Sequence, residues 1–197
     1  MSDLEKFAHN TDSYFPDLLK IALIHYQFET IHPFLDGNGR VGRLIIPLYL
    51  VSKGILQKPV LYLSDFFERN RQLYYDNLTI VRDKNDLGQW YKFFLVGVIE
   101  TAKNGINTFD NILQLQKQID IDIQSLGSRA SKAKKVIDFL YKRPMIKAYK
   151  ISEIASISMP SSYKLISDLE KLNVLKEKTG GQRSRVYAFE NYIKIFR

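Results

Sequence analysis

Ile31-His32-Pro33-Phe34-Leu35-Asp36-Gly37-Asn38-Gly39-Arg40-Val41-Gly42-Arg43 packs an imidazole, a carboxylate, three glycines, an asparagine and two arginines into one turn between two apolar segments. Gly37, Asn38 and Gly39 tolerate positive φ, so the turn can aim several N–H groups at one point as an anion-binding nest. A helix starting directly after it adds unpaired N–H donors and the positive end of its dipole. Arg40 and Arg43 are three apart and share a face of that helix. Asp36 is a hard oxygen ligand suited to Mg²⁺, which commonly works beside substrate phosphates. His32 is the side chain placed to take a proton near neutral pH. These residue types together specify a held polyphosphate with a base beside it.

Working outward, Tyr14 to Ile31 reads as a helix, with Leu18, Ile21, Ala22, His25 and Phe28 at 3–4 spacing and Pro16 in its first turn. His25 is expected as a hydrogen-bonded core residue, the alternative being a metal site with His32 and Asp36. Pro33 ends the helix, which leaves His32 at its tip, and Phe34 is expected to anchor the loop in the core. A second helix runs from about Asn38 to Lys53, apolar nearly all round and so expected to be buried and central, with a bend at Pro47. Gly37-x-Gly39-x-x-Gly42 also fits a dinucleotide fingerprint, but that needs a preceding strand, and the preceding segment is helical.

The stretch His32 to Arg43 resembles the Fic family, whose pattern His-x-Phe-x-Asp/Glu-Gly-Asn-Gly-Arg-x-x-Arg it matches at every fixed position. Phe28-Glu29-Thr30-Ile31 and Leu61-Tyr62-Leu63-Ser64…Phe67-Glu68 also look like the larger bacterial members, and the resemblance extends from Leu4 to about Asn104. It implies a helical bundle that moves AMP from ATP onto a Ser, Thr or Tyr hydroxyl of a target protein. In that scheme His32 is the general base and Asp36 holds Mg²⁺. Gly37, Asn38, Gly39, Arg40, Gly42 and Arg43 bind the nucleotide phosphates. Members with lysine at the Gly39 position resemble phosphate-transferring kinases, so Gly39 favours AMP transfer. Related proteins usually carry, upstream, a β-hairpin flap and an inhibitory helix of pattern Ser/Thr-x-x-x-Glu-Gly/Asn. Ser64-x-x-x-Glu68 comes nearest here but is followed by Arg69. The expectation is a catalytic part truncated at its N-terminus, or one that borrows both elements from a partner.

Further along, Ser64–Arg82 is expected as one helix capped by Ser64-Asp65. Tyr62, Tyr74 and Tyr75 are core aromatics or an adenine wall. Asp86 opens a helix through Ile99, and Ile106–Leu126 forms another. Gly127-Ser128 is the expected boundary between a catalytic domain, 1–127, and a second domain, 128–197. Residues 1–127 hold 13 Lys/Arg and 15 Asp/Glu, a net charge of −2, whereas residues 128–197 hold 16 and 6, a net charge of +10. Helices at Ala133–Tyr141, Lys150–Ser156 and after Ser158, then a hairpin about Gly180-Gly181, resemble a winged helix-turn-helix. Ser161, Ser162, Lys164 and Lys171 are its candidate DNA contacts, with Arg183 and Arg185 on phosphates and Asp168 and Glu170 weakening the face.

The chain of 197 residues is 45% hydrophobic and 25% charged, as ordinary globular proteins are. It has no cysteine, which rules out disulfides and thiolate metal sites and suits a reducing cytoplasm. No apolar run reaches membrane-spanning length, so no membrane partner is expected. The fold expected is mainly α, with a protein target, DNA through the basic part and a homodimer as partners. The competing functions are a DNA-binding regulator that senses nucleotide at the turn, and a pseudo-enzyme that binds nucleotide without turnover.

Overall fold

The computed structural model describes residues 1–10, 15–181 and 184–196. The chain divides into two compact units, 1–105 and 106–197. This division falls inside a long helix, earlier than the change of composition at Gly127-Ser128.

The first unit contains α1 (Ser2–His9), α2 (Asp17–Ile31), α3 (Asn38–Ser52), α4 (Ser64–Arg69) and α5 (Arg71–Lys84). It also contains the first part of α6 (Leu87–Asp122). Asp86 caps α6, its carboxylate accepting from Gln89 N at 3.2 Å. Tyr14, expected in the first helix, lies outside the described residues. The core joins Ile21, Ala22 and Ile24 of α2, Ile46 and Leu50 of α3, Phe66 and Phe67 of α4, and Trp90 and Phe94 of α6. Trp90 donates its indole N–H to the Ala22 carbonyl at 3.0 Å, so this large ring is buried without an orphaned donor.

Two expectations about these helices are corrected. Helix α3 is not buried all round, since Val41, Leu44 and Leu48 form an exposed apolar stripe at 3–4 spacing. The segment 64–84 is two helices broken at Asn70, whose Nδ2 donates to the Phe66 carbonyl at 2.9 Å and ends α4 there. Conversely, the two helices expected between Asp86 and Leu126 are one through Asp122, and Gly105 is carried within it.

The second unit takes the rest of α6 and a 3₁₀ segment, Ile123–Arg129, in which Gly127 turns to φ 55°. Next come α7 (Ala130–Leu140), β1 (Met145–Lys147), α8 (Ala148–Ala155) and α9 (Met159–Lys171). It closes with β2 (Lys176–Glu177), β3 (Val186–Ala188) and α10 (Glu190–Lys194). The expected hairpin gains a third strand, giving an antiparallel sheet of order β1-β3-β2. Its register pairs Ile146 with Tyr187 and Glu177 with Tyr187. Ser158 caps α9 through Ser161 N at 3.4 Å, and Pro160 sits in its first turn, where its missing N–H costs nothing. Val136, Ile137 and Leu140 of α7 meet Ile151 of α8 and Leu165, Ile166 and Leu169 of α9 in one core. The architecture is mainly helical with one small sheet. Among the described residues no helix is long and apolar enough to cross a membrane.

Candidate active site

The turn between α2 and α3 opens onto a cleft of about 700 Å³. His32, Leu35, Asp36, Gly37, Gly39, Arg40 and Arg43 line one side, and Ser64, Glu68, Arg71 and Tyr75 of α4 and α5 line the other. A larger depression of about 820 Å³ beside α1 and α5 is lined by Leu4, Phe7, Tyr26 and Ile31 with Asp3, Gln27, Arg82 and Asn85, a set that includes none of residues 32–43 of the glycine-rich turn.

His32 is the residue after α2, held in the left-handed region at φ 50°, ψ 57° while its N–H still reaches the Phe28 carbonyl at 3.0 Å. That conformation is unusual for a residue with a Cβ. It turns the chain away from the helix and places the imidazole in the cleft lining. Gly37 is the other left-handed residue of the turn, at φ 83°. Asn38 and Gly39 instead begin α3, so the donors come mainly from the helix start and less from a nest than the sequence suggests.

The glycine spacing has a steric reason. A Cβ on Gly37 would sit 3.3 Å from an Arg40 nitrogen, and one on Gly39 would sit 3.0 Å from an Arg43 nitrogen. Each guanidinium thus lies against a glycine on the preceding turn of chain. Arg40 is exposed and pairs with Asp36 at 3.2 Å, whereas Arg43 is partly buried.

Three sequence expectations are refined. Asn38 lines the cleft, but its side-chain amide is turned to its own loop. It is 2% exposed, its Oδ1 accepts from Phe34 N at 2.8 Å and its Nδ2 donates to the Phe34 carbonyl at 2.6 Å. The residue clamps the loop to the start of α3. Gly42 is not among the residues lining the cleft, and a Cβ there would lie 2.3 Å from Glu29 Oε1 and 3.2 Å from the Phe28 ring. It lets α2 and α3 approach. Phe34 is 50% exposed, with its ring 6.3 Å from that of buried Phe28 between centroids.

His25 takes the core role expected of it. With Nδ1 protonated it donates to the Gly42 carbonyl at 3.0 Å, and Nε2 then accepts from the Tyr74 hydroxyl at 3.0 Å. Desolvation by burial lowers its pKa to about 4, the Gly42 hydrogen bond opposing and Arg43 adding to the effect. The same burial pushes the Tyr74 phenol up, with Glu29 as the next cause. Tyr74 is a core ring, Tyr75 stands exposed in the cleft with Arg71 over its face, and Tyr62 does not line the cleft.

Glu29 is the residue the sequence reading did not assign. It lies one helical turn before His32, and its Oε1 is buried with no hydrogen-bond partner. Burial raises its pKa, and the positive fields of Arg43 and His32 oppose that rise. The i, i+3 spacing from His32, with Gly42 opposite, was the available signal. Arg71, Glu68 and Ser64 were also missed, because they come from a distant segment that only the fold brings to the turn.

In the second unit, Ser161, Lys164, Lys171 and Arg185 are exposed as expected of contact residues. Ser162 is not: it is fully buried, and its hydroxyl donates to the Ser158 carbonyl at 3.1 Å. Arg183 lies outside the described residues. Asp168 does not weaken the α9 face, because it turns inward to Arg129 at 2.8 Å and is 14% exposed.

Fold and site together define a mainly helical protein with a glycine-rich turn between two helices, lined by two arginines, and an imidazole at its edge. The comparisons name the class more closely. Residues 1–50 match the model of the Fic/DOC family. A probable protein adenylyltransferase of Aquifex aeolicus (strain VF5) is 31% identical over 119 residues, covering 55% of this chain and 34% of that protein. A protein adenylyltransferase Fic of Aedes aegypti is 30% identical over 98 residues, covering 47% and 17%. A crystal structure of a Fic family protein from Desulfovibrio desulfuricans G20 shares the fold, with a TM-score of 0.51 at 20% identity. The match covers 95% of this chain and 53% of that one. Residues 1–50 thus match the Fic/DOC family model, about half of the chain is similar in sequence to adenylyltransferases of that kind, and the chain shares the fold of a Fic family protein. It spans about a third or less of the length of these adenylyltransferases.

Proposed function

We propose that the chain transfers AMP from ATP to a Ser, Thr or Tyr hydroxyl of a target protein. The observation that carries this reading is the convergence of His32, Arg40, Arg43 and the Gly37 turn on one cleft of a size that small ligands occupy. The relatives' names support it. Phosphates lie over Gly37 and the start of α3, where N–H groups lack intrahelical partners. Arg40 and Arg43 take the outer phosphates. His32 removes the proton from the attacking hydroxyl as its oxygen bonds to the α-phosphorus, and the bond to the leaving pyrophosphate breaks. Positioning and charge stabilisation supply most of the catalysis, with His32 worth about 10²–10⁴-fold.

Among the described residues there is no cluster of three or more His, Cys, Asp or Glu. One carboxylate with phosphates nevertheless suits Mg²⁺, which keeps most of its waters. Asp36, exposed at the cleft lip, is the residue to hold it. Bound there, the ion neutralises phosphate charge. The absence of cysteine fits work in the cytoplasm.

The test is incubation with ATP labelled on the α-phosphate, followed by mass spectrometry of the chain and of added proteins. AMP should appear on protein, and His32→Ala should abolish it while leaving ATP binding intact. Labelled AMP incorporation that survives His32→Ala would sink the assignment of the base. Bound ATP without any modification would favour a nucleotide sensor or a pseudo-enzyme.

A further inference from the structure

We propose that the outward face of α9 is a duplex-DNA-binding surface, with α9 in the major groove and lysines and arginine on the flanking phosphates. This is independent of the cleft in the first unit. It rests on how charge is distributed over the second.

Residues 128–197 hold 6 acidic side chains against 16 basic ones. Most of the acids are already engaged. Asp138 meets Lys134 at 3.4 Å, Glu153 meets Lys150 at 2.9 Å and Asp168 meets Arg129 at 2.8 Å. Glu190 holds both Lys176 and Lys178, at 3.2 and 2.8 Å, and this pairing keeps its carboxyl at about 2. Glu177 accepts from the N–H groups of Thr179 and Gly180 in its own turn. Glu170, partly exposed on α9, is the remaining acid, so the outward charge is a positive excess rather than positive throughout.

The cations left over are grouped about α9. Its exposed residues are Met159, Pro160, Ser161, Tyr163, Lys164, Ser167 and Lys171, with no acid among them. A concavity of about 430 Å³ on one flank carries Lys132, Ser161 and Lys164. One of about 560 Å³ on the other carries Lys147, Tyr149, Tyr163 and Arg185. Lys132, Lys147 and Lys164 have no ion pair among the described residues. Arg185 is steadied by Nε donating to the Gly181 carbonyl at 2.8 Å.

An α-helix with side chains is about 10–12 Å across and the B-DNA major groove about 12 Å wide, so α9 fits between two phosphate backbones. Cations on both flanks then meet one backbone each. Ser161, Tyr163 and Met159, on the helix itself, face base edges, the aromatic and thioether groups suiting thymine methyls. An acidic protein would not require positive charge on both sides of a groove-sized helix, so the duplex is the better match.

The test uses the full chain and a labelled mixed-sequence duplex of about 20 base pairs, with fluorescence anisotropy over a range of salt. Binding should weaken steeply as salt rises. Lys147→Ala, Lys164→Ala and Arg185→Ala should each lower affinity and reduce the salt slope by about one. Tyr163→Ala should lower affinity with the slope unchanged. Lys194→Ala, on α10, should change neither, and circular dichroism of each variant confirms that the unit is folded. No binding to duplex at low salt overturns the proposal. So does a Lys194→Ala effect as large as the others, or tighter binding of polyglutamate than of duplex, which would reassign the surface to an acidic protein.

Discussion

Two helix-turn-helix corners in this chain begin alike and end differently. Helix α2 stops at His32 with φ 50°, and α8 stops at Ser156 with φ 51°. Both use a left-handed residue other than glycine, an arrangement that costs about 1–2 kcal/mol. At α8 the strain serves packing. The next helix begins within three residues, Ser152 Oγ donates to the Ile157 carbonyl at 2.5 Å, Ser158 caps α9, and the buried side chains of both helices are almost all apolar. At α2 the strain serves presentation. The loop is longer, its imidazole, carboxylate and guanidiniums face a cleft, and polar groups lie buried beneath it. One backbone device thus yields an apolar corner or one that gathers polar and charged groups about a cleft, according to which residues are placed around it.

The sharpest way to break that contrast is acid. All three histidines lie in the first 32 residues, and His25 is fully buried. Its pKa falls from 6.5 to about 4 on folding, so its stabilisation is present above 6.5 and is lost as the pH drops through the folded value. That is on the order of 3 kcal/mol. Trp90, the one tryptophan, stacks at 6.1 Å from His25 and reports the first unit alone. Its fluorescence should show unfolding between pH 6 and 4 before the helices of the second unit melt. Simultaneous loss would mean that the two corners do not differ in this way.

Gly42→Ala is expected to cost about 1–3 kcal/mol by driving a methyl into Glu29 and Phe28. Thermal melting measures it, and an unchanged midpoint would show that α2 and α3 can separate freely. Glu29→Gln keeps the shape but removes the charge. Because the folded pKa of Glu29 is raised, its contribution is present at low pH and declines as pH rises through that value. The variant should therefore gain on the wild type in denaturant midpoint as pH is raised to neutrality, and an equal midpoint across pH would exclude a charged Glu29. Smallest is Ser158→Ala at the apolar corner, where loss of the cap should cost about 1 kcal/mol. That change should leave nucleotide binding in the first unit untouched.

Much of this was legible in the sequence. The 3–4 spacing in α2, the apolar run of α3 and the Ser158 cap of α9 marked helices, and the glycine-rich turn marked the candidate site. The breaks were less so. The 64–84 segment keeps helical periodicity through Asn70, so nothing local announced that an asparagine side chain would end α4. The gap expected between Ile99 and Ile106 is helical, and it includes Gly105, because one glycine in a helix costs only about 1 kcal/mol and packing overrides it. Met145–Lys147 is too short for a period of two to show. Within the site, residue type was readable but direction was not. The amide of Asn38 and the hydroxyl of Ser162 are ligand-binding types, yet both are spent on neighbouring backbone, and Gly42 serves the close approach of Glu29 and Phe28; only the tertiary approach of neighbouring elements decides that.

The clamp between Asn38 and Phe34 has one further consequence. Two hydrogen bonds from one buried side chain close residues 34–38 into a ring, so the loop's conformational entropy is surrendered when the chain folds. A ligand entering the cleft therefore finds its receptor already rigid, and little of its binding free energy is diverted to ordering the turn. Calorimetry of Asn38→Ala should show this as a larger entropic penalty for the same nucleotide, with slower association wherever the loosened loop must first find its bound shape.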